Sequence, residues 1–216
     1  GSIVRDGIKP KTIMQLALTL YAISILIGIY ICMNTSWYLA LVGIVGMLIG
    51  YLYTGGPIPI AYTPFGELFS GVLMGAGFVL IAYFVQTDVL STASILISLP
   101  IAVLVGAINM SNNIRDIEED IIGGRKTLPI LLGRKRAIMV LGLAFIFVYI
   151  WIIGLVVFDV VSPWAFIAFL SAFKPYQAWT AFRRGAQHMR MAMKSTALTN
   201  TLYSLFLAIG LLIAQL

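Results

Sequence analysis

Charge is scarce in this chain. Its 216 residues include eight acids, 14 Lys and Arg and a single His, so only 10% of positions are charged. The one cysteine, Cys32, excludes an intramolecular disulfide and a cysteine-based metal cage, and leaves packing as its role. His188 sits among Arg183, Arg184, Arg190 and Lys194 with no carboxylate or cysteine beside it, so it carries no metal-ligand signature. No low-complexity tract occurs, and the longest hydrophilic stretches run only from Asn112 to Arg136 and from Arg183 to Lys194. A separate soluble domain is not expected, and residues 1–216 read as one transmembrane domain.

What fills the space left by charge is apolar. The chain is 61% hydrophobic with a mean hydropathy of +1.01, more than one water-soluble core can bury, so it requires lipid as solvent. Nearly uncharged runs at 12–32, 36–53, 66–86, 93–112, 137–158, 163–182 and 195–214 predict an all-α, polytopic bundle of about seven transmembrane helices. Membrane lipid is thus the first partner.

Alternation of seven spans puts the segments starting at 1, 54, 113 and 183 on one face. Every Lys and Arg except Lys174 lies there, and the turns Met33 to Thr35, Gln86 to Thr92 and Phe158 to Ser162 carry none. By the positive-inside rule the basic face is cytoplasmic, in a multi-pass protein of the cell membrane. The same dispersal over short loops argues against nucleic acid as a partner, which would need a contiguous basic patch. Lys174, inside a span, has two readings: it snorkels toward the cytoplasmic end or faces a cavity.

Gly46/Gly50 and Gly71/Gly75 are small-xxx-small pairs that let helices approach closely. Ser162-Pro163 and Thr63-Pro64 each place a capping side chain before a proline suited to a first helical position. Glu67, in the first turn after Thr63-Pro64, is explained by the positive end of the helix dipole, with a substrate or head-group contact as its functional alternative.

The chemically informative stretch runs from Asn109 to Thr127. At 100° per residue, Asn109, Asn112, Asn113, Asp116 and Asp120 share one stripe about 16 Å long if the helix continues. Asp116 and Asp120 are one turn apart, which lets them aim at a single divalent cation or at neighbouring ones and suits Mg2+, an ion commonly held by one or two carboxylates plus phosphate oxygens. Arg115, Arg125 and Lys126 supply positive charge for a diphosphate. Two other readings compete. A charged loop is ordinarily just solvated, but the asparagines carry the stripe to membrane depth, where polar side chains face an interior or a cavity or serve purely as hydrogen bonds between helices. The stripe would equally line the path of a transporter or channel.

A second segment, Tyr51 to Pro64, is dense in Gly, Pro and Tyr. It reads either as a rigid turn or as a place where Gly55-Gly56 backbone N–H groups meet phosphate oxygens, with Tyr53 and Tyr62 as hydroxyl donors.

Together Ile3 to Lys11, Tyr51 to Glu67 (YLYTGGPIPIAYTPFGE) and Asn112 to Gly133 (NNIRDIEEDIIGGRKTLPILLG) resemble the UbiA-type intramembrane prenyltransferase superfamily. Within it, the 1,4-dihydroxy-2-naphthoate prenyltransferases of menaquinone biosynthesis are most similar. The resemblance implies nine helices around a cavity open to the membrane, with two Asp-rich motifs holding Mg2+ and a polyprenyl diphosphate. Asp116-xxx-Asp120 resembles the second motif. The first has no counterpart here, and Arg5 resembles the arginine that follows it. With Gly1-Ser2 in place of an initiating Met, the expectation is an N-terminally incomplete chain holding family helices three to nine, inactive alone.

The implied reaction is Mg2+-dependent transfer of the polyprenyl group to 1,4-dihydroxy-2-naphthoate with decarboxylation, giving demethylmenaquinone. Another aromatic acceptor is the alternative. Asp116 and Asp120 are then the catalytic metal ligands. Arg5, Arg115, Arg125 and Lys126 are the diphosphate contacts, and Tyr53, Asn109 and Asn112 the polar shell of the cavity.

Overall fold

The computed structural model describes residues 7–216, and all regular structure among them is helical. The helices group into two units, divided between Ile49 and Gly50.

In the first unit, α1 (Pro10–Asn34) begins with Pro10 at a position where its missing N–H costs nothing. Its Leu16, Leu18, Leu20 and Leu26 are exposed, as befits a helix apolar all round. Cys32 is buried and unpaired. A second helix, α2 (Tyr38–Thr54), starts in this unit and ends in the next. Its 17 residues span about 26 Å, close to the thickness of a hydrocarbon core.

The second unit is built on α3 (Gly66–Thr87), α4 (Thr92–Arg115), α7 (Arg134–Val157) and α9 (Met189–Ile213). Short helices α5 (Ile117–Ile122) and α6 (Leu128–Leu132) follow α4, and α8 (Phe173–Arg183) precedes α9. A Ser91/Ser94 capping box starts α4. α3 and α4 touch backbone to backbone: a Cβ on Gly71 would stand 2.5 Å from the Ala102 carbonyl oxygen, and one on Gly75 2.5 Å from the Ala102 Cα. The Gly71/Gly75 pair is therefore a packing device. The same stretch, Gly71–Gly77, winds as a π-helical segment.

Leu104, Ile114, Leu141, Val148, Ile152 and Tyr203 form the buried centre where α4, α7 and α9 meet. Polar crosslinks join these helices: Ser111 donates to Thr196 at 3.0 Å, and the Trp151 indole N–H donates to the Leu96 carbonyl at 2.9 Å. In lipid such bonds add to van der Waals packing as the association force.

Each of the seven apolar runs is helical, and among the described residues five helices are long and apolar enough to cross a membrane. The run at 163–182 divides into a 3-10 helix (Pro163–Ser171) and α8. Pro175 lies in the first turn of α8, where without an N–H it cannot donate to the Ser171 carbonyl. Ser162 caps the 3-10 segment as its spacing predicts. Thr63 instead accepts from the Phe65 N–H, and α3 begins only at Gly66. α9 starts at Met189, so Arg190 and Lys194 ride on its first turns.

Candidate active site

The stripe from Asn109 to Asp120 keeps its helical register through a bend. α4 ends at Arg115, and Asp116 (φ −97°, ψ 13°) joins it to α5. Backbone bonds from Asp116 N–H to Asn112 C=O (3.0 Å) and from Asp120 N–H to Asp116 C=O (2.8 Å) carry the four-residue spacing across. Asp116 and Asp120 are thus still one turn apart.

Along this stripe each polar residue finds a different partner. Asn109 donates its amide to the Tyr53 hydroxyl at 3.0 Å, and that hydroxyl donates to the Gly66 carbonyl at 3.3 Å. Asn113, one turn on, donates to Glu67 Oε1 at 2.8 Å. The end of α2, the start of α3 and the second half of α4 therefore converge on one polar cluster. Gly106 permits the closeness, since a Cβ there would lie 2.9 Å from the Glu67 carbonyl oxygen. Asn112 is half-buried.

Beyond the bend the carboxylates meet cations. Arg115 grips Asp116 with two guanidinium nitrogens and turns a third toward Met193 Sδ at 2.8 Å. Asp120 is buried, with Arg125 Nη1 3.2 Å from Oδ1. Burial pushes its carboxyl above the ordinary aspartate range, against the pull of the Arg125 guanidinium. Arg125 also lies over the Tyr62 ring, 4.7 Å from the centroid, while Lys126 N–H donates to the Tyr62 carbonyl at 2.8 Å. These contacts lock the loop before α3 onto the loop after α5. The Lys126 side chain is exposed.

The donor set fits a hard divalent cation. Asp120 Oδ2 is buried without a hydrogen-bond partner, an orphaned oxygen of the kind Mg2+ accepts. No group of three or more His, Cys, Asp or Glu able to hold a metal occurs among the described residues, so Asp116 and Asp120 supply two ligands at most. Mg2+ commonly completes its shell with phosphate oxygens and water.

Arg5 lies outside the described residues. The other expected residues divide between the two ends of the stripe: Tyr53 and Asn109 in the polar cluster, Arg115, Asp116, Asp120 and Arg125 around the bend, with Asn112 between them. Sequence reasoning missed two contributors. For Glu67 the first-turn position suggests the helix dipole, or else a substrate or head-group contact, whereas its Oε1 is held by Asn113 and its Oε2 is buried without a partner. Arg134, read only as a topological anchor, donates to Glu118 Oε2 at 2.6 Å and to the Ile114 carbonyl at 3.3 Å, capping α4. Its guanidinium holds the Glu118 carboxyl below its usual range. A signal was available, because Arg134, Lys135 and Arg136 open a helix at the end where its dipole disfavours cations. Lys174 bonds Gln177 Oε1 at 3.2 Å and lies over the Phe173 ring.

The sequence pattern of the UbiA prenyltransferase family matches residues 2–201. The chain belongs to this family. It is accordingly an integral membrane prenyltransferase with a multi-pass helical fold. The chain is 62% identical over 216 residues to the 1,4-dihydroxy-2-naphthoate octaprenyltransferase of Bacillus subtilis (strain 168), an alignment covering 99% of this chain and 70% of that one. It is 25% identical over 213 residues to the Mycobacterium tuberculosis (strain ATCC 25618 / H37Rv) protein of the same name, covering 96% and 70%. The UbiA prenyltransferase domain-containing protein 1 of Gallus gallus is 32% identical over 135 residues, covering 61% and 40%. No solved structure matches the chain.

Proposed function

We propose that this UbiA-family enzyme transfers a polyprenyl group from its diphosphate to 1,4-dihydroxy-2-naphthoate with loss of the acceptor's carboxylate, giving demethylmenaquinol, the reduced form of demethylmenaquinone. The reaction is Mg2+-dependent and runs at the cytoplasmic face of the cell membrane. The acceptor rests on the names of the Bacillus and Mycobacterium relatives. The site assignment rests chiefly on Asp120, a buried carboxylate with one oxygen on Arg125 and the other unpartnered.

In this reading Asp116 and Asp120 hold Mg2+, which when bound supplies the positive charge that stabilises a diphosphate leaving group. Arg125 and Lys126 bind and orient that diphosphate, and Arg115 adds charge beside Asp116. Arg125 is preorganised by the Tyr62 ring, so its guanidinium is in place before substrate arrives. Tyr53 and Asn109 orient the acceptor's polar groups. Their mutual hydrogen bond and the link to Gly66 fix both side chains for that task. Water has to be kept from the allylic cation, which would otherwise be captured as an alcohol. The electron-rich ring carbon that bears the carboxylate then forms the new C–C bond, and the carboxylate leaves as CO2.

The test is product analysis with the complete membrane enzyme, a prenyl diphosphate and Mg2+. Supplied in turn with 1,4-dihydroxy-2-naphthoate and 4-hydroxybenzoate, it should give prenylated, decarboxylated product from the naphthoate alone. Equal turnover of 4-hydroxybenzoate, or a product retaining its carboxylate, would overturn the assignment.

A further inference from the structure

A groove of about 990 Å3 runs between α7 and α8, separate from the polar cluster of Tyr53, Glu67 and Asn109. Its floor is buried and apolar, with Phe145 and Phe182 almost wholly covered, whereas Met139 and Tyr176 on its two rims are exposed. From Arg134 to Tyr149 it follows α7 for about 22 Å, enough to hold most of an acyl chain. Its cations stand together at one end, because Arg134 and Lys135 open α7 and Arg183 closes α8.

That end is built with some care. Gly142 leaves room for Trp179, whose ring atoms lie 3.0 Å from where a Cβ on residue 142 would be. Trp179 in turn supports Arg183, whose guanidinium sits 4.6 Å from the ring centroid. Arg134 is already engaged by Glu118 and the Ile114 carbonyl. Among the described residues no carboxylate pairs with Lys135 or Arg183. Two unsatisfied cations thus stand at the mouth of a long apolar trough. An occupant complementary to both parts has an anionic head and a hydrocarbon tail.

We propose that the α7–α8 groove is a binding site for an anionic phospholipid, its head group held by Lys135 and Arg183 and an acyl chain lying along Phe145 toward Tyr149. The site is on the same face as Asp120, since Arg134 at its mouth also caps the helix that leads to Asp116. A zwitterionic lipid would place its ammonium against these cations and lose the attraction. A polybasic pair at a membrane surface contributes about 1 kcal/mol per charge, which corresponds to roughly thirtyfold in affinity for the two.

Native mass spectrometry of the complete protein in detergent tests this, with dioleoylphosphatidylglycerol and dioleoylphosphatidylcholine as probes. The phosphatidylglycerol adduct should dominate and weaken roughly thirtyfold in a Lys135→Gln/Arg183→Gln variant, while the phosphatidylcholine adduct is unchanged. Trp179→Leu, which removes the support under Arg183 but no charge, should weaken it by a smaller factor. Equal retention of the two lipids, no adduct at all, or an adduct indifferent to Lys135 and Arg183 would overturn the proposal. So would displacement by an equimolar prenyl diphosphate, which would make the groove a substrate site. None of these readings depends on which acceptor the enzyme prenylates.

Discussion

Asn113 on α4 donates a 2.8 Å hydrogen bond to Glu67 in the first turn of α3, and both side chains are buried. Two helices 46 positions apart in sequence are thereby tied beside the Tyr53–Asn109 bond. Removing one partner strands the other. Asn113→Leu should destabilise the protein by about 1–3 kcal/mol, and pairing it with Glu67→Leu should recover part of that loss, since replacing both polar partners is cheaper than orphaning one. Thermal unfolding in detergent of the single and double variants measures the coupling. Strictly additive losses would mean the bond carries no coupling energy.

The approach of α3 to α4 makes a steric prediction. Gly71→Ala would put a methyl 2.5 Å from the Ala102 carbonyl oxygen, so the helices must separate at a cost of about 1–3 kcal/mol. Gly154→Ala is the control, because nothing lies within 4 Å of its Cβ position. A thermal unfolding shift for Gly71→Ala no larger than for Gly154→Ala would contradict the close packing.

Arg134 and Arg136 stand two residues apart and should behave differently. Arg134→Gln releases both Glu118 and the Ile114 carbonyl and loosens the segment bearing Asp116, so it should lower both thermal stability and prenyl transfer. Arg134→Lys should restore only part, as an ammonium lacks the planar fork that reaches both acceptors. Arg136 is exposed, and Arg136→Gln should remain within about 0.5 kcal/mol of wild type.

Tyr62 is expected to act through its ring. Tyr62→Phe keeps the surface on which Arg125 rests and should leave KM for the prenyl diphosphate near wild type. Tyr62→Leu removes the cation–π contact, about 0.5–1 kcal/mol at a partly exposed site, and should raise KM by roughly two- to fivefold. Steady-state kinetics of the two variants decide it, and equal KM values would deny Arg125 its dependence on the ring.

What sequence could and could not disclose follows from the range of the interactions. The Asn109-to-Asp120 stripe was legible because helical periodicity is local, and it survives the bend at Asp116 through two backbone bonds. The apolar runs were legible for the same reason. Glu67 was not, because its partner Asn113 is remote in sequence and a first-turn acid already has a sufficient local explanation. The division of the run at 163–182 into a 3-10 stretch and α8 leaves no local mark in its largely apolar residues. Arg134 was hidden by a rule that counts charges on a membrane face without asking what each one touches.

The central claim is that Asp116 and Asp120 hold the metal that assists departure of the diphosphate. Its most direct measurement is the rate of prenyl transfer by the complete enzyme against Mg2+ concentration, for wild type and for Asp120→Asn. Wild-type activity should vanish on chelation and return with Mg2+. Asp120→Asn, which keeps the shape but loses the charge, should reduce kcat by about 10²-fold or more and shift half-activation to higher Mg2+. An Asp120→Asn enzyme with wild-type kcat and an unchanged Mg2+ requirement would contradict the account.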